Sequence, residues 1–365
     1  MVYKRVHKLN QGIENGHDKL LNEALFMQQQ AKKSNFYPRV IDVRYEKEDL
    51  VVECEFLYDG VTLVDVIFNE DLPQLYIDNS LEYVIKQLFD KYYVAKSTVP
   101  DKDYIFKCYF ERLRRRMDVS LELIDTQFRD WVHLKDAILN GISINGSYYP
   151  GIYEYINYLE QDKNLHEILM IDQNYESHHD LIPENIVVNK VEGLNRIAEF
   201  KLIDPRGEME TGENSRHYLY DMGKMLFGLD CYGLFRKGFL INDFSHFYFV
   251  ADKGNNYTLT FNRNSVTIQH LMESQKTWWR LMQKLPDEFS DNWGKRSLQY
   301  LFSFAFMYLP DIPCRIIDEK NEMLALSFYT RGMMIMRIFM SKAYGKDPLS
   351  LKEVSEVELW PMQGV

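Results

Sequence analysis

His178-His179-Asp180-Leu181-Ile182-Pro183-Glu184-Asn185-Ile186-Val187-Val188, followed by Phe200-Lys201-Leu202-Ile203-Asp204-Pro205-Arg206-Gly207, decides how the rest of this chain is read. Ile186-Val187-Val188 is a short β-branched run of the kind that forms a buried strand, and residues 198–203 form a second such run. Between them, Asn189-Lys190-Val191-Glu192-Gly193-Leu194-Asn195 has the composition of a turn. The two runs are predicted to pair as an antiparallel hairpin. Asp204, just past the second strand, then comes beside Asn185, just before the first. Asp180 lies five residues before Asn185 on the same loop, so the three side chains can face one cleft.

Three readings of this stretch compete. Asp and Asn are common turn residues, so the segment can be a plain loop. His178, His179 and Asp180 could form a metal-hydrolase site, although adjacent side chains on an extended segment point apart and cannot easily ligate one ion. The third reading is phosphoryl transfer, which needs a positioned cation, a carboxylate at the attacking hydroxyl and charge neutralisation, but little covalent help. The stretch resembles the catalytic and metal loops of kinase-like phosphotransferases, whose signature is H-R-D-L-x-x-x-N followed by a D-F-G turn. Here His179 stands at the Arg, and Asp204-Pro205-Arg206-Gly207 replaces D-F-G.

The 365 residues are enough for two domains or lobes, and 46% hydrophobic content supports a core. A formal charge of −11 argues against a nucleic-acid binder, which would need a basic footprint. Cys54, Cys108, Cys231 and Cys314 are scattered without a C-x-x-C, as expected in a reducing compartment. Residues 1–9 carry Lys4, Arg5 and Lys8 and no apolar run, so no secretory leader and a cytoplasmic location are expected.

Upstream, residues 1–9 alternate like a strand and residues 10–17 read as a Gly-containing turn. Residues 18–33 read as a helix with Asp18 as N-cap and Leu20, Leu21, Ala24, Leu25 and Met27 on its apolar side. Strands are predicted over 40–44 and 50–56, a hinge at Tyr58-Asp59-Gly60, and a helix from Thr62. Further helices are predicted over 79–96, 104–124, 127–140, 151–169 and 215–227, with a loop over 140–150 and a polar surface turn over 208–214. Arg112, Arg114, Arg115 and Arg116 read as a solvated helix face. A hairpin is expected from 244–250 and 257–262. Residues 323–340 are strongly apolar, but Arg331 and Arg337 oppose a membrane span, so a buried helix is expected there with Met333, Met334 and Met336 as core.

The strand, helix, strand, strand, hinge order is similar to the later part of a kinase N-lobe. On residues 178–207 and this N-terminal order, the chain resembles the aminoglycoside phosphotransferase-like branch of the kinase fold. Ile203 to Gly207 with Tyr220-Asp221-Met222-Gly223-Lys224-Met225-Leu226 resembles bacterial capsular-polysaccharide biosynthesis phosphotransferases within it. The resemblance implies an α+β, bilobal protein-kinase-like fold, with a reduced N-lobe over residues 1–61 and a large, mostly helical C-lobe over 62–365. It implies ATP or GTP, Mg²⁺ and a small hydroxylated substrate. Asp180 would be the catalytic base, and Asn185 and Asp204 the metal ligands. Lys4, with Lys8 as fallback, would contact the nucleotide and be set by Glu23. Asp221 would brace the catalytic loop backbone, Arg206 would pair with a C-lobe acid or, as the second choice, add positive charge near the transferring phosphoryl, and His178 would pack beneath the loop. One departure keeps a second class open. The first two kinase strands and their Gly-rich loop have no counterpart before Lys4, and Gly12 and Gly16 follow it without the G-K-[ST] of a P-loop. The alternative is a pseudokinase serving as a binding or scaffolding protein.

Overall fold

The computed structural model describes the chain apart from residues 1, 8–15, 56–59, 207–215, 253, 286–288, 290–291, 346–347, 350–359 and 361–365. The protein is α+β and mostly helical, with three small sheets of three, four and two strands among the described residues. It divides into two compact units. Unit 1 comprises Met1–Asp101, Asp172–Leu229 and Glu273–Ser290, and unit 2 comprises Lys102–Ile171, Asp230–Met272 and Asp291–Val365. The expected boundary between residues 61 and 62 falls inside unit 1.

Unit 1 begins with β1 (Val2–His7), α1 (Gly16–Ala31), β2 (Val40–Glu46) and β3 (Asp49–Cys54). β3 lies between β1 and β2, antiparallel to both, with Lys4 opposite Val52. Leu20 and Ala24 of α1 pack on Leu50 and Val52. Burying a side chain such as Leu or Val contributes about 1.5–3 kcal/mol, and this holds the helix on the sheet. The helix starts before Asp18, which lies in its first turn rather than at the cap. Its buried face is also rotated from the expected one. Leu25 is 46% exposed, whereas Glu23 and Gln30 are buried alongside Leu20, Ala24 and Met27. Tyr58 and Asp59 of the expected hinge lie outside the described residues. Beyond them α2 (Leu63–Ile67) opens with a capping box formed by Thr62 and Asp65. α3 (Gln74–Gln87) starts earlier than expected and runs on through a π-helical turn, Leu88–Tyr92, rather than reaching residue 96.

The chain then enters unit 2. A π-helical segment, Phe106–Glu111, leads into α4 (Arg112–Gln127). Two of its arginines correct the expectation of a solvated basic face: Arg112 and Arg116 are buried, and the Arg116 guanidinium lies 3.4 Å from Cys314 Sγ. α5 (Val132–Asn140) begins later than expected. The expected loop over 140–150 is a hairpin of β4 (Ile142–Ile144) and β5 (Ser147–Tyr149). Asn145 and Gly146 turn it with φ of 49° and 76°, the positive pair that an Asn-Gly hairpin turn requires. The expected single helix over 151–169 is two, α6 (Ile152–Gln161) and α7 (Lys163–Leu169). Asp162 separates them and caps α7 by accepting from the N–H groups of Asn164 and Leu165.

Returning to unit 1, β6 (Ile186–Asn189) and β7 (Glu199–Leu202) pair antiparallel as expected, with Ile186 opposite Leu202. α8 (Tyr218–Gly228) follows, its first turn capped by His217 Nδ1, which accepts from the Leu219 N–H. The expected polar turn over 208–214 lies outside the described residues.

The rest of unit 2 begins with α9 (Tyr232–Ile241). The expected hairpin is present as β8 (Phe247–Ala251) and β9 (Asn256–Phe261). β9 pairs parallel with β4, giving the order β5-β4-β9-β8. α10 (Val266–Gln283) runs through the point where the chain passes back into unit 1. α11 (Trp293–Tyr308) and α12 (Glu322–Tyr344) complete unit 2. α12 is the expected buried helix: Met333, Met334 and Met336 are core, and Arg331 is buried on Asp230. Among the described residues, no helix is long and apolar enough to cross a membrane.

Candidate functional site

The β6–β7 hairpin places Asn185 and Asp204 as its sequence predicts. The Ile203 N–H donates to the Asn185 carbonyl at 3.0 Å, so Asp204 leaves the strand one residue beyond that bond. The Asn185 Nδ2–H₂ donates to the Asp180 carbonyl at 2.8 Å and closes the loop between the two residues. That bond leaves the carboxamide oxygen as the acceptor atom of Asn185. Asp204 adopts φ of 55° and His179 φ of 63°. Left-handed backbone at residues other than glycine costs on the order of 1–3 kcal/mol each, and such conformations cluster at functional sites.

Lys4, far upstream, meets this loop. Its Nζ is 2.6 Å from Glu23 Oε2 and 3.0 Å from Asp204 Oδ1. The sheet and α1 explain the meeting, because β1 presents Lys4 while the rotated face of α1 brings Glu23 inward. The Glu23 side chain is only 4% exposed, so its position is fixed; Lys4 and Asp204, at 41% and 44%, remain open to solvent. Burial pushes the Glu23 carboxyl up, and Lys4 only partly offsets this. Burial also works against the Lys4 charge, but Asp204 and Glu23 outweigh it and hold the ammonium above its ordinary value. Lys8, the fallback, lies outside the described residues.

α8 holds the other side of the loop. Asp221 is fully buried and accepts the backbone N–H of His178 at 2.7 Å and of His179 at 2.6 Å, one on each oxygen. This is the bracing role expected from sequence. Burial pushes the carboxyl up to about 7, with the two amides pulling the other way. His178 packs beneath the loop, also as expected. It stacks on Tyr37, and its Nε2 lies 2.8 Å from the Ile203 carbonyl while Nδ1 accepts from the Asp180 N–H at 3.2 Å. Only the tautomer protonated on Nε2 satisfies both bonds. Burial brings its pKa down to about 4, so the ring is neutral at pH 7.

These contacts separate the side chains of the hydrolase reading. The His178 ring is committed to Ile203, and Asp180 turns to a different partner, Lys224, at 3.0 Å. Burial raises the Asp180 pKa, but Lys224 and Arg206 overcome it and hold the carboxyl well below the usual range. Arg206 thus contributes positive charge to Asp180, and its carbonyl accepts from Arg216 Nη2 at 2.6 Å. Arg216 also donates to the Ser177 carbonyl at 2.8 Å and lies over the Phe26 ring, tying together the segments before and after the loop. Sequence reasoning missed Lys224 and Arg216. The signal for Lys224 was the Asp221-x-x-Lys224 spacing, one helical turn, which puts both residues on one face.

Asn185 and Asp204 supply a neutral oxygen and a carboxylate. That donor set suits Mg²⁺, which binds through few protein oxygens and keeps water or substrate phosphate as its other ligands. No protein-family model matches the chain, and no curated protein is significantly similar to it.

Proposed function

We propose that this chain is a small-molecule kinase of the aminoglycoside phosphotransferase-like type, which transfers the γ-phosphoryl of ATP or GTP to a hydroxyl of a sugar, polyol or amino alcohol. Its setting in this reading is cytoplasmic synthesis of a capsule or surface-polysaccharide component. Residues 1–61 act as a reduced N-lobe and 62–365 as the C-lobe of a bilobal kinase-like fold. The observation that carries the reading is the junction at Lys4, whose ammonium bridges Glu23 and Asp204, residues 19 and 200 positions away. A plain loop has no need of such a convergence.

Each side chain then has a task. Glu23, buried and fixed, aims the Lys4 ammonium at the nucleotide phosphates. Asn185 and Asp204 would hold Mg²⁺, which when bound neutralises phosphate charge. Asp180 orients the acceptor hydroxyl and accepts its proton. Asp221 holds the backbone that presents Asp180. The test is release of ADP or GDP from nucleotide and Mg²⁺ in the presence of sugars, polyols and amino alcohols, alongside thermal shifts with nucleotide and Mg²⁺. Absence of both binding and turnover overturns the reading. One observation favours the pseudokinase alternative: one Asp204 oxygen is already paired with Lys4. Nucleotide binding without turnover on any acceptor would support that alternative.

A further inference from the structure

One face of α8 follows the catalytic loop residue by residue. Asp221 takes the N–H groups of His178 and His179, Lys224 takes the carboxylate of Asp180, and Gly228 approaches Pro183. A Cβ on Gly228 would stand 2.2 Å from Pro183 Cδ, so only glycine permits the approach. The positions 221, 224 and 228 follow the helical repeat of three and four that puts residues on one stripe. Asp221 and Gly228 fix backbone. Lys224 alone acts on a side chain, and it does so from a shielded position, 8% exposed, while Asp180 retains 22% exposure.

We propose that Lys224 is the positioning residue for Asp180, holding Oδ1 on its ammonium so that Oδ2 is left to receive the acceptor hydroxyl. The inference rests on the kinase reading above. A free aspartate turns about χ2 and offers either oxygen in several directions; a carboxylate held at 3.0 Å by a buried ammonium offers one. In the transfer, the acceptor oxygen forms its bond to the γ-phosphorus. The bond from that phosphorus to the bridging oxygen breaks, its electron pair leaving on the nucleoside diphosphate. The hydroxyl proton passes to Asp180 Oδ2 and then to solvent.

The experiment is a double-mutant cycle on the full chain, with Lys224→Met, Asp180→Asn and the pair. Turnover is read as ADP release from ATP and Mg²⁺ with glycerol, ribitol, D-glucose and ethanolamine as acceptor probes. Lys224→Met is expected to lower kcat roughly 10–100-fold, within the range that orientation commands, while KM for ATP stays within about threefold. Because Lys224 acts through Asp180, the double variant should be no slower than Asp180→Asn alone. Multiplied losses, or an unchanged kcat in Lys224→Met, overturn the inference. Lys224→Arg keeps the cation and should recover part of kcat; recovery equal to that of Lys224→Gln also overturns it. Where Lys224→Met fails to fold by circular dichroism, Lys224→Gln takes its place in the cycle. A wild-type chain that turns over none of the probes removes the kinase reading and this inference with it. An active wild type with an indifferent Lys224 removes the inference alone.

Discussion

Asp204 in unit 1 and Asp230 in unit 2 each meet a cation within 3.0 Å, and they differ in what they have left to bind. Asp230 and Arg331 are both fully buried. Arg331 donates to both Asp230 oxygens at 2.7 Å, Tyr308 adds its hydroxyl at 2.6 Å, and the guanidinium lies over Phe261. Asp204 has one bond to Lys4 and a side chain 44% exposed. The first carboxylate is saturated by protein and can serve only the fold. The second keeps an oxygen and a solvent path, as a ligand for something outside the protein must. Exposure and unused acceptor capacity, not the presence of an ion pair, separate a candidate site from a structural pair.

The largest effects expected are on activity. Asp204→Asn should abolish Mg²⁺-dependent nucleotide turnover while changing the unfolding free energy by less than about 1 kcal/mol, the usual worth of an exposed pair. Assays of ADP release and urea unfolding on the same variant check both halves, and unchanged turnover would break the comparison at its functional end. Asp180→Asn keeps the side-chain size and removes the carboxylate that the kinase reading makes the base. Acceptor phosphorylation should fall by roughly 10²–10⁴-fold with ATP and Mg²⁺ binding retained, read by steady-state kinetics and thermal shift.

Arg331→Met tests the other end. It strands the Asp230 charge in the core and should cost about 3–5 kcal/mol of stability, whereas the double change Asp230→Leu with Arg331→Met should recover much of that loss. Chemical denaturation of the two variants decides the matter. A small loss in Arg331→Met would mean that the buried pair is not what holds its surroundings.

Acid separates the two regions further. The folded loop holds His178 at about 4, below the ordinary histidine value near 6.5. Between those values the unfolded chain binds a proton that the folded chain refuses, so the ring's own contribution to stability falls as pH drops from about 6.5 to about 4. The loss reaches about 3 kcal/mol for this group at the acid end. Asp230 is depressed, despite its burial, by Arg331, so its contribution is present above the ordinary carboxylate range and lost only as pH falls below it. Asp221, raised by burial to about 7, acts in the opposite sense over the same range, so the ring is read from the difference between variants: unfolding midpoints measured from pH 7 to pH 4 should fall more, or rise less, in the wild type than in His178→Asn, and parallel curves would exclude the ring as the cause. The smallest effect concerns packing alone. Gly228→Ala meets Pro183 and should cost about 1–3 kcal/mol, measurable by thermal unfolding.

How much of this was legible in the sequence depended on the distance between partners. The β6–β7 hairpin was read correctly because strand pattern and turn composition are local, and the neighbourhood of Asn185 and Asp204 followed from it. Asn145-Gly146 was equally local. It was overlooked because flanking strands of three residues are too short to show alternation. Arg112 and Arg116 misled because a run of arginines looks the same whether the guanidinium ends in water or against Cys314. The face of α1 misled in the opposite way: leucine count favoured Leu25, whereas the buried stripe of Leu20, Glu23, Ala24 and Met27 follows the three-and-four helical repeat and leaves Leu25 outside it.

By itself, then, the sequence determined the elements whose hydrogen bonds and apolar spacing close within a few residues: the hairpin, the buried α12, and the loop that carries Asp180 and Asn185. Apart from the Lys4–Glu23 pair, which the resemblance implied, tertiary structure decided which charges meet. Lys4 with Asp204, Lys224 with Asp180 and Arg331 with Asp230 are contacts between distant segments. A charged side chain carries no mark of its partner in its own neighbourhood. Its pairing is set by where packing places the backbone, and by the cost of leaving either charge buried alone.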